Sequence, residues 1–300
     1  MRFCSFQIPG DSAGTQRSGL LESSRVFELA DEPITGHLLA SVELGAVETK
    51  GGGYNLEDIT LLAPVPRPGK ILAAIVNTRG MLGGRDVTLE RPRIDMKAPS
   101  TVVGPGVEIW GPNVGIRPEV ELAAIVGRRI SRATIAEARS ALFGYTVLND
   151  VTAPADSRED AYEAYRRDKK TGEIKKSALR GPLFRSKNHD TFCPMGPWIT
   201  TPEEIKDWSN LRMTTRFDGT LVQEGSTSEY IFDAADISSY ISTFLTLEPG
   251  DVVSCGSIGW TKEALGNLDP TEYLLPLRKG TLALEIEGVG KLLNPVSLAD

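Results

Sequence analysis

The stretch Arg117-Pro-Glu-Val-Glu-Leu-Ala-Ala-Ile-Val-Gly127 decides the fold, together with the later stretch Phe143-Gly-Tyr-Thr-Val-Leu-Asn-Asp-Val-Thr-Ala153. Each contains a short apolar run, which in the first is unbroken from Leu122 to Val126 and is typical of a strand buried on both faces. Acidic residues stand at the ends of these runs: Glu119 and Glu121 where the first begins, and Asp150 where the second ends. The two stretches therefore predict buried strands with carboxylates at their ends.

Further strand candidates recur along the chain, rich in Val, Ile, Tyr and Thr and bounded by Gly, Pro, Asn or Asp. They span residues 71–76, 101–103, 119–126, 145–148, 211–217, 252–254 and 282–286. Asp218-Gly219 predicts a tight hairpin turn. Helices are fewer: a capping box from Thr134 to Glu137 begins one, and apolar spacing predicts another over residues 236–245. Because helices and strands do not alternate regularly, we predict an α+β, mainly β fold rather than a doubly wound sheet.

Two regions and one polar excursion divide the chain. Residues 1–69 are predicted to form a small N-terminal domain, because Pro64-Val-Pro-Arg-Pro68 is typical of a linker. Residues 70–300 form the predicted main domain. Within it, residues 156–183 are polar and charged, with a helical centre predicted over residues 158–169. Such a long excursion is often a functional lid, and the alternative is a mobile loop.

Composition excludes several classes of protein. The 300 residues are 40% hydrophobic and 24% charged, which is ordinary for a soluble globular protein. A net charge of −7 leaves no basic excess for phosphates, so nucleic acid is not an expected partner. No apolar run approaches the ~20 residues of a membrane span and no signal core is present, so we expect no membrane partner and a cytoplasmic location. The 3 isolated cysteines predict reduced thiols and offer no zinc spacing.

The three carboxylates suit a hard divalent cation. Alternate side chains of a strand share a face, so Glu119 and Glu121 would point the same way, with Cα atoms roughly 6.5–7 Å apart. Asp150 would complete a set of oxygen ligands for Mg²⁺ or Mn²⁺. The spacing alone is weak, because Glu285-Ile-Glu287 repeats it within an alternating apolar pattern that predicts the polar face of an antiparallel strand. The residues by themselves therefore leave both interpretations of Glu119 and Glu121 open.

Several separate motifs keep one order along residues 70–295. They are the stretches 117–127, 144–153, 192–198, 218–223 and 247–252, with Lys97-Ala-Pro-Ser100 upstream and Glu287-Gly-Val-Gly290 downstream. In this order they resemble the fumarylacetoacetate hydrolase family. The resemblance implies a mixed β-roll around a Mg²⁺ (or Mn²⁺) site, a homodimer, and small-molecule 2-oxo or 2,4-dioxo carboxylate substrates. It also implies that Glu119, Glu121 and Asp150 are the metal ligands.

The resemblance implies roles for residues outside the acidic set. Lys187 matches a lysine beside the substrate and is predicted to be catalytic through its charge; the alternative is a solvated surface lysine. Lys97 matches another family position and is predicted to face the site. Gly256 and Ser257 match a pair that contacts the substrate carboxylate. Gln223 is predicted either to bind substrate or to make structural hydrogen bonds.

Departures from the family pattern bear on the reaction. Hydrolytic members carry an Asn-Tyr-x-x-His segment with a lid Glu three residues beyond it. Here Asn77-Thr-Arg-Gly-Met81 takes that place, with Gly84 at the Glu position. The base that activates water in those members is therefore missing from its usual place. His189 follows Lys187 by two residues and would share its face in a strand, which makes His189 a candidate acid–base group; the alternative is a surface or core histidine.

Three functions remain open. The first is a Mg²⁺-dependent hydrolase that cleaves a C–C bond in a 2-oxo or 2,4-dioxo carboxylate, such as an acylpyruvate, through a metal-stabilised enolate. The second is a decarboxylase, dehydratase or isomerase on a similar acid, favoured by the missing His–Glu pair. The third is an inactive member that binds a ligand or partner, against which the intact acids and Lys187 argue. Arg79 and Arg85 are candidates to bind an extra substrate carboxylate.

Overall fold

Strands dominate the computed structural model, which describes residues 1–12, 14–30, 47–82 and 89–298. Gly84 and Arg85 lie outside the described residues. In chain order the strands are β1 (Arg2–Gln7), β2 (Arg17–Glu22), β3 (Arg25–Leu29), β4 (Thr49–Asn55), β5 (Thr60–Leu61), β6 (Ile71–Ile75), β7 (Arg93–Lys97), β8 (Val102–Val103), β9 (Ile109–Gly111), β10 (Val120–Val126), β11 (Leu142–Asn149), β12 (Tyr162–Arg167), β13 (Ile174–Leu179), β14 (Cys193–Thr200), β15 (Arg212–Phe217), β16 (Thr220–Ser226), β17 (Val252–Ser257), β18 (Gly280–Ile286) and β19 (Gly290–Leu298). The helices are α1 (Ile135–Ala141), α2 (Pro154–Glu159), α3 (Phe184–Lys187), α4 (Ala234–Ser242) and α5 (Lys262–Leu265). The prediction of a mainly β, α+β fold is confirmed.

One large mixed sheet organises the molecule. Its strands follow the order β4-β3-β2-β1-β14-β11-β10-β17-β6-β7, with β5 added to β1 and β8 added to β14. The pairs β17–β6 and β14–β8 are parallel, whereas β10 is antiparallel to both of its neighbours. A second sheet has the order β16-β15-β18-β19-β9. Strands β1 to β4 extend the large sheet through the β1–β14 pair. The domain boundary at residue 69 and the homodimer stay predictions.

Strand β10 is buried along its whole length. Its side chains alternate between two cores, as a strand requires. Leu122 and Ala124 belong to a core that also contains side chains of β15, β18, β19 and α4. Ala123 and Ile125 belong to another core, built with side chains of β1, β6 and β14. The prediction of burial on both faces is confirmed, and it means that the residues at the start of β10 are held by packing from both sides.

Most of the predicted strands, turns and helix starts are present in the structure. The seven predicted strands correspond to β6, β8, β10, β11, β15, β17 and β18. Phe217 pairs with Thr220 across the predicted hairpin turn. The capping box of Thr134 and Glu137 begins α1 as predicted. Helix α4 begins earlier than predicted, because the Asp233 carboxylate caps it by accepting from the backbone N–H groups of Ala235 and Asp236. No helix in the described part of the chain is long and apolar enough to cross a membrane.

The polar excursion folds differently from its prediction. Helix α2 ends at Glu159, and the following residues form the antiparallel pair β12–β13, which stands apart as a two-stranded sheet. The predicted helical centre over residues 158–169 is therefore wrong. Tyr162 and Tyr165 favour extended backbone, and both side chains are exposed. Because neither face of this hairpin packs on a core, no apolar period marks it in the sequence.

Candidate active site

Three acidic side chains meet at one end of β10 and β11. Glu119 directly precedes β10, Glu121 lies within it, and Asp150 directly follows β11. The backbone N–H of Asp150 donates to the carbonyl of Glu119 at 2.9 Å, so strand pairing brings these two residues together. One oxygen from each of the three carboxylates lies within 4.8 Å of the others, and all three side chains are buried. The convergence comes from the pairing of two strands as well as from the spacing of Glu119 and Glu121.

Lys187 ends helix α3 and points its ammonium at two of these acids. Its Nζ donates to Glu119 Oε2 at 2.7 Å and to Asp150 Oδ2 at 2.5 Å. The residue is only 5% exposed, so this lysine is buried rather than solvated. Burial opposes the charge, but Asp150 and Glu119 outweigh it and raise the pKa of Lys187, which keeps the side chain charged at neutral pH. The expectation that Lys187 and His189 share a strand face is wrong, because Lys187 is helical.

Lys97 lies behind Asp150, at the end of β7. Its Nζ is 2.7 Å from Asp150 Oδ1 and donates to the backbone carbonyl of Lys187 at 2.5 Å. The side chain is 1% exposed and is not among the residues that line the cavity described below. Burial alone would raise the pKa of Asp150, but Lys187 and Lys97 lower it overall. Lys97 therefore holds Asp150 ionised and in place.

Glu121 differs from the other two acids because no described cation pairs with it. Its Oε2 accepts from Ser254 Oγ at 2.5 Å and from the backbone N–H of Gly256 at 3.2 Å. Burial, together with repulsion from Asp150, raises the pKa of Glu121 to about 8. A buried carboxylate without a cation is costly, and three converging carboxylates are the donor set of a hard divalent ion. The acidic cluster can therefore bind a divalent metal.

A cavity of about 200 Å³ opens beside the acidic cluster. Its size suits a small organic acid. Its described lining combines the acids and Lys187 with apolar and hydroxyl side chains. The described residues that line it are Ala74, Ile75, Val76, Met81, Arg117, Glu119, Glu121, Asp150, Thr152, Pro154, Ser157, Arg180, Leu183, Lys187, Ser257, Pro270 and Thr271.

The predicted substrate-binding residues occupy two layers. Ser257 lines the cavity. Gln223 is fully buried behind Ser257 and donates from Nε2 to Ser257 Oγ at 3.1 Å. Its Oε1 accepts from the backbone N–H of Val120 at 3.2 Å. Gly256 directs its N–H to Glu121 rather than to the cavity. Of these residues, Ser257 alone is exposed to a ligand in the cavity, and Gln223 fixes the position of its hydroxyl.

Two other predicted site residues lie away from the lining. His189 Nε2 lies 2.6 Å from Asp156 Oδ2, and its ring contacts Phe192 with centroids 4.8 Å apart. Arg79 is exposed, and Arg85 lies outside the described residues. The structure therefore places His189 at the base of the polar excursion, where it ties α2 to the chain that follows α3. Its acid–base role stays a prediction.

Sequence reasoning missed two arginines that line the cavity. Arg117 Nε donates to Glu119 Oε1 at 2.7 Å. Its position two residues before Glu119 could have indicated this pair, because side chains two apart in extended chain share a face. Arg180 follows β13, and its Nε donates to Ser157 Oγ at 2.7 Å. No motif marks Arg180, which lies in a polar excursion rich in other basic residues.

Comparison with known proteins gives one consistent result. Residues 75–297 match the family model described as "Fumarylacetoacetate (FAA) hydrolase C-terminal". Oxaloacetate tautomerase FAHD2B, mitochondrial, of Bos taurus is 31% identical over 99% of this chain and 91% of its own length. A 2,4-didehydro-3-deoxy-L-rhamnonate hydrolase of Sphingomonas sp. (strain SKA58) is 30% identical over 86% of this chain and 84% of its own. The crystal structure of a 5-carboxymethyl-2-hydroxymuconate delta-isomerase from Mycobacterium smegmatis superposes with a TM-score of 0.75, at 27% identity and with both chains fully covered.

Proposed function

The chain belongs to the fumarylacetoacetate hydrolase family and is an enzyme, and we propose that it interconverts the enol and keto forms of a small 2-oxo acid with a divalent metal ion. We assign Glu119, Glu121 and Asp150 as the ligands of Mg²⁺ or Mn²⁺, because buried carboxylates favour hard cations. The ion would supply an electrophile that offsets negative charge on the substrate.

The observation that carries this proposal is the lining around Met81. Met81 lines the cavity, and none of the described residues that line it is a histidine. Hydrolysis needs a base that activates water. Glu119 and Asp150 are paired with Lys187, and all three acids are the proposed metal ligands, so none of them would be free to serve as that base. Tautomerisation consumes no water: the enol oxygen gives its proton to solvent, carbon takes a proton from solvent, and a stabilised charge lowers the barrier between the two steps. Because solvent can carry these protons and no described residue activates water for attack, the described lining favours isomerisation over the hydrolysis placed first by the sequence.

We assign the electrostatic role to Lys187 and the positioning role to Ser257. The ammonium of Lys187 is buried, charged and in contact with two of the proposed ligands. It would offset negative charge on the substrate while the proton moves, and a preorganised charge in a buried site does this with little reorganisation. The hydroxyl of Ser257, held by Gln223, would donate to the substrate carboxylate.

Hydrolysis of a C–C bond is the second candidate. The Sphingomonas relative, named a hydrolase, covers most of this chain at 30% identity. Analysis of the products separates tautomerisation from hydrolysis and decarboxylation. Tautomerisation conserves mass, hydrolysis consumes water and releases two acids, and decarboxylation releases CO₂.

The test uses the enol form of oxaloacetate as the probe, since a relative is named for its tautomerisation. We expect the ultraviolet absorbance of the enol to decay faster with enzyme and Mn²⁺ than with enzyme and a chelator, and nuclear magnetic resonance to find only the keto acid. Glu121→Gln removes one proposed ligand, and Glu285→Gln is the matched control in the second Glu-x-Glu pair, whose Glu285 is exposed. Full activity in Glu121→Gln, or a wild-type acceleration over the enzyme-free decay that persists with the chelator, would contradict the proposed function.

A further inference from the structure

The two arginines of the cavity differ in their partners. Arg117 donates to Glu119 Oε1 at 2.7 Å and to the backbone carbonyl of Thr271 at 3.3 Å, so its charge is already compensated. Arg180 makes no ion pair with any carboxylate of the described residues. Its described hydrogen bond runs from Nε to the neutral hydroxyl of Ser157 at 2.7 Å. The cavity therefore contains one guanidinium that no described acid neutralises.

Ser157 holds this guanidinium in a defined orientation. The residue is fully buried in α2, and its hydroxyl donates to the carbonyl of Pro154 at 3.2 Å while accepting from Arg180. Its own carbonyl accepts from the backbone N–H of Gly181 at 2.9 Å, which fixes the chain next to Arg180 as well. With Nε occupied, the two terminal nitrogens remain for a ligand. Their planar fork matches the two oxygens of a carboxylate.

The surroundings of Arg180 contrast with those of Arg185 in the same part of the chain. Arg185 pairs with three acids, of which Asp160 is the nearest at 2.9 Å. Arg180 pairs with no acid of the described residues. Partial burial, then Arg158, then Arg117 lower the pKa of Arg180. Because no carboxylate of the described chain pairs with Arg180, a carboxylate of the ligand can take that place.

We propose that Arg180 binds a second carboxylate of the substrate, so that the enzyme prefers 2-oxo dicarboxylates to 2-oxo monocarboxylates of equal length. This preference rests on the proposed function, because the acidic cluster and its metal are taken to hold the 2-oxo acid group. The described cavity of about 200 Å³ suits a short dicarboxylate. Arg180 thereby takes the role that the sequence assigned to Arg79 and Arg85, because Arg180 lines the cavity whereas Arg79 is outside the described lining and Arg85 is outside the described residues.

The experiment measures binding by calorimetry with Mn²⁺ present and with a chelator. The first pair of probes is 2-oxoglutarate and 2-oxopentanoate, and the second, one carbon longer, is 2-oxoadipate and 2-oxohexanoate. Within each pair the first acid ends in a carboxylate where the second ends in a methyl group. For at least one pair we expect the dicarboxylate to bind about tenfold more tightly, as one charge-assisted bidentate contact provides. Arg180→Gln should abolish that preference and leave binding of the monocarboxylate unchanged. Arg166→Gln, an exposed arginine of β12, is the matched control and should keep the preference.

Two further variants keep the result decisive if Arg180→Gln fails to fold. Arg180→Lys retains a charge without the fork and should keep part of the preference, whereas Ser157→Ala should reduce it by releasing Nε. Equal binding of both members in both pairs, or a preference that persists in Arg180→Gln, would overturn the role of Arg180. Absence of metal-dependent binding for every probe would instead overturn the proposed function, so the two failures are distinguishable.

Discussion

Replacing Lys97 by Met tests whether this residue supports the site or binds the substrate. Its Nζ lies 2.7 Å from Asp150 Oδ1, and both side chains are almost fully buried. At that distance and an effective dielectric constant of about 20, the attraction is about 6 kcal/mol. Removing Lys97 also removes the cost of burying its own charge, so the net loss is smaller. Breaking a buried pair by deleting one partner lowers the free energy of unfolding by about 3–5 kcal/mol.

Urea unfolding in the presence of a chelator measures this loss without a contribution from bound metal. Lys175→Met is the matched control, because Lys175 pairs with Glu173 at 2.9 Å where both side chains are at least 60% exposed. Such an exposed pair contributes about 0–1 kcal/mol. Lys97→Met should also weaken Mn²⁺ binding by about 10–100-fold, since an unsupported Asp150 is no longer held in place.

The opposite pattern would refute this reasoning. If Lys97 faces the substrate, as the sequence predicted, Lys97→Met should unfold within about 1 kcal/mol of the wild type, bind Mn²⁺ normally and show only a raised KM. The same result would show that Asp150 keeps its geometry through Lys187 alone.

The remaining predictions test single contacts. Gly256→Ala should lower the free energy of unfolding by about 1–3 kcal/mol in a urea titration, and should weaken Mn²⁺ binding. Gly256 has φ +89°, and a Cβ there would lie 2.9 Å from the carbonyl oxygen of Ala74. Unchanged stability would count against this tight packing. His189→Gln should keep wild-type turnover and lose about 1 kcal/mol of stability through its contact with Asp156; a large loss of turnover in a folded variant would establish the acid–base role instead. Thr134→Ala should cost about 1 kcal/mol in the same unfolding assay through loss of the α1 capping box, and a value near zero would mean that tertiary packing alone holds α1.

The sequence predicts the elements whose burial or capping leaves a local mark. The run from Leu122 to Val126 is apolar without interruption because both faces of β10 are packed. An unbroken apolar run of this length can be recognised from the sequence alone. The Asp218-Gly219 turn and the Thr134 capping box are equally local, because their hydrogen bonds join residues that are close in sequence. These features could therefore be placed to within a few residues.

The β12–β13 hairpin is not predictable from the sequence, because neither of its faces packs against the core of the described structure. A strand with one buried face has apolar residues at alternate positions, which makes it predictable from sequence. Neither strand of this pair has a buried face. Its polar, charged sequence leaves Tyr162 and Tyr165 as the main signals of extended structure, and they do not outweigh the helix-favouring residues between them. Arg180 escapes for a related reason, since its role depends on a hydroxyl 23 residues away.

The two Glu-x-Glu pairs show where local information ends. Glu285 stands opposite Lys291 on a neighbouring strand, and both side chains are exposed to solvent. Glu121 stands opposite Ser257 inside the large sheet, where its side chain is almost fully buried. The flanking residues predict this difference, because one pair precedes an unbroken apolar run and the other lies in an alternating one. What they cannot predict is the compensating charge: Lys187 lies 68 residues from Glu119 and 37 from Asp150. The sequence around the acids therefore predicts that they are buried. The position of Lys187, which neutralises two of them, is determined by the fold and not by the neighbouring sequence.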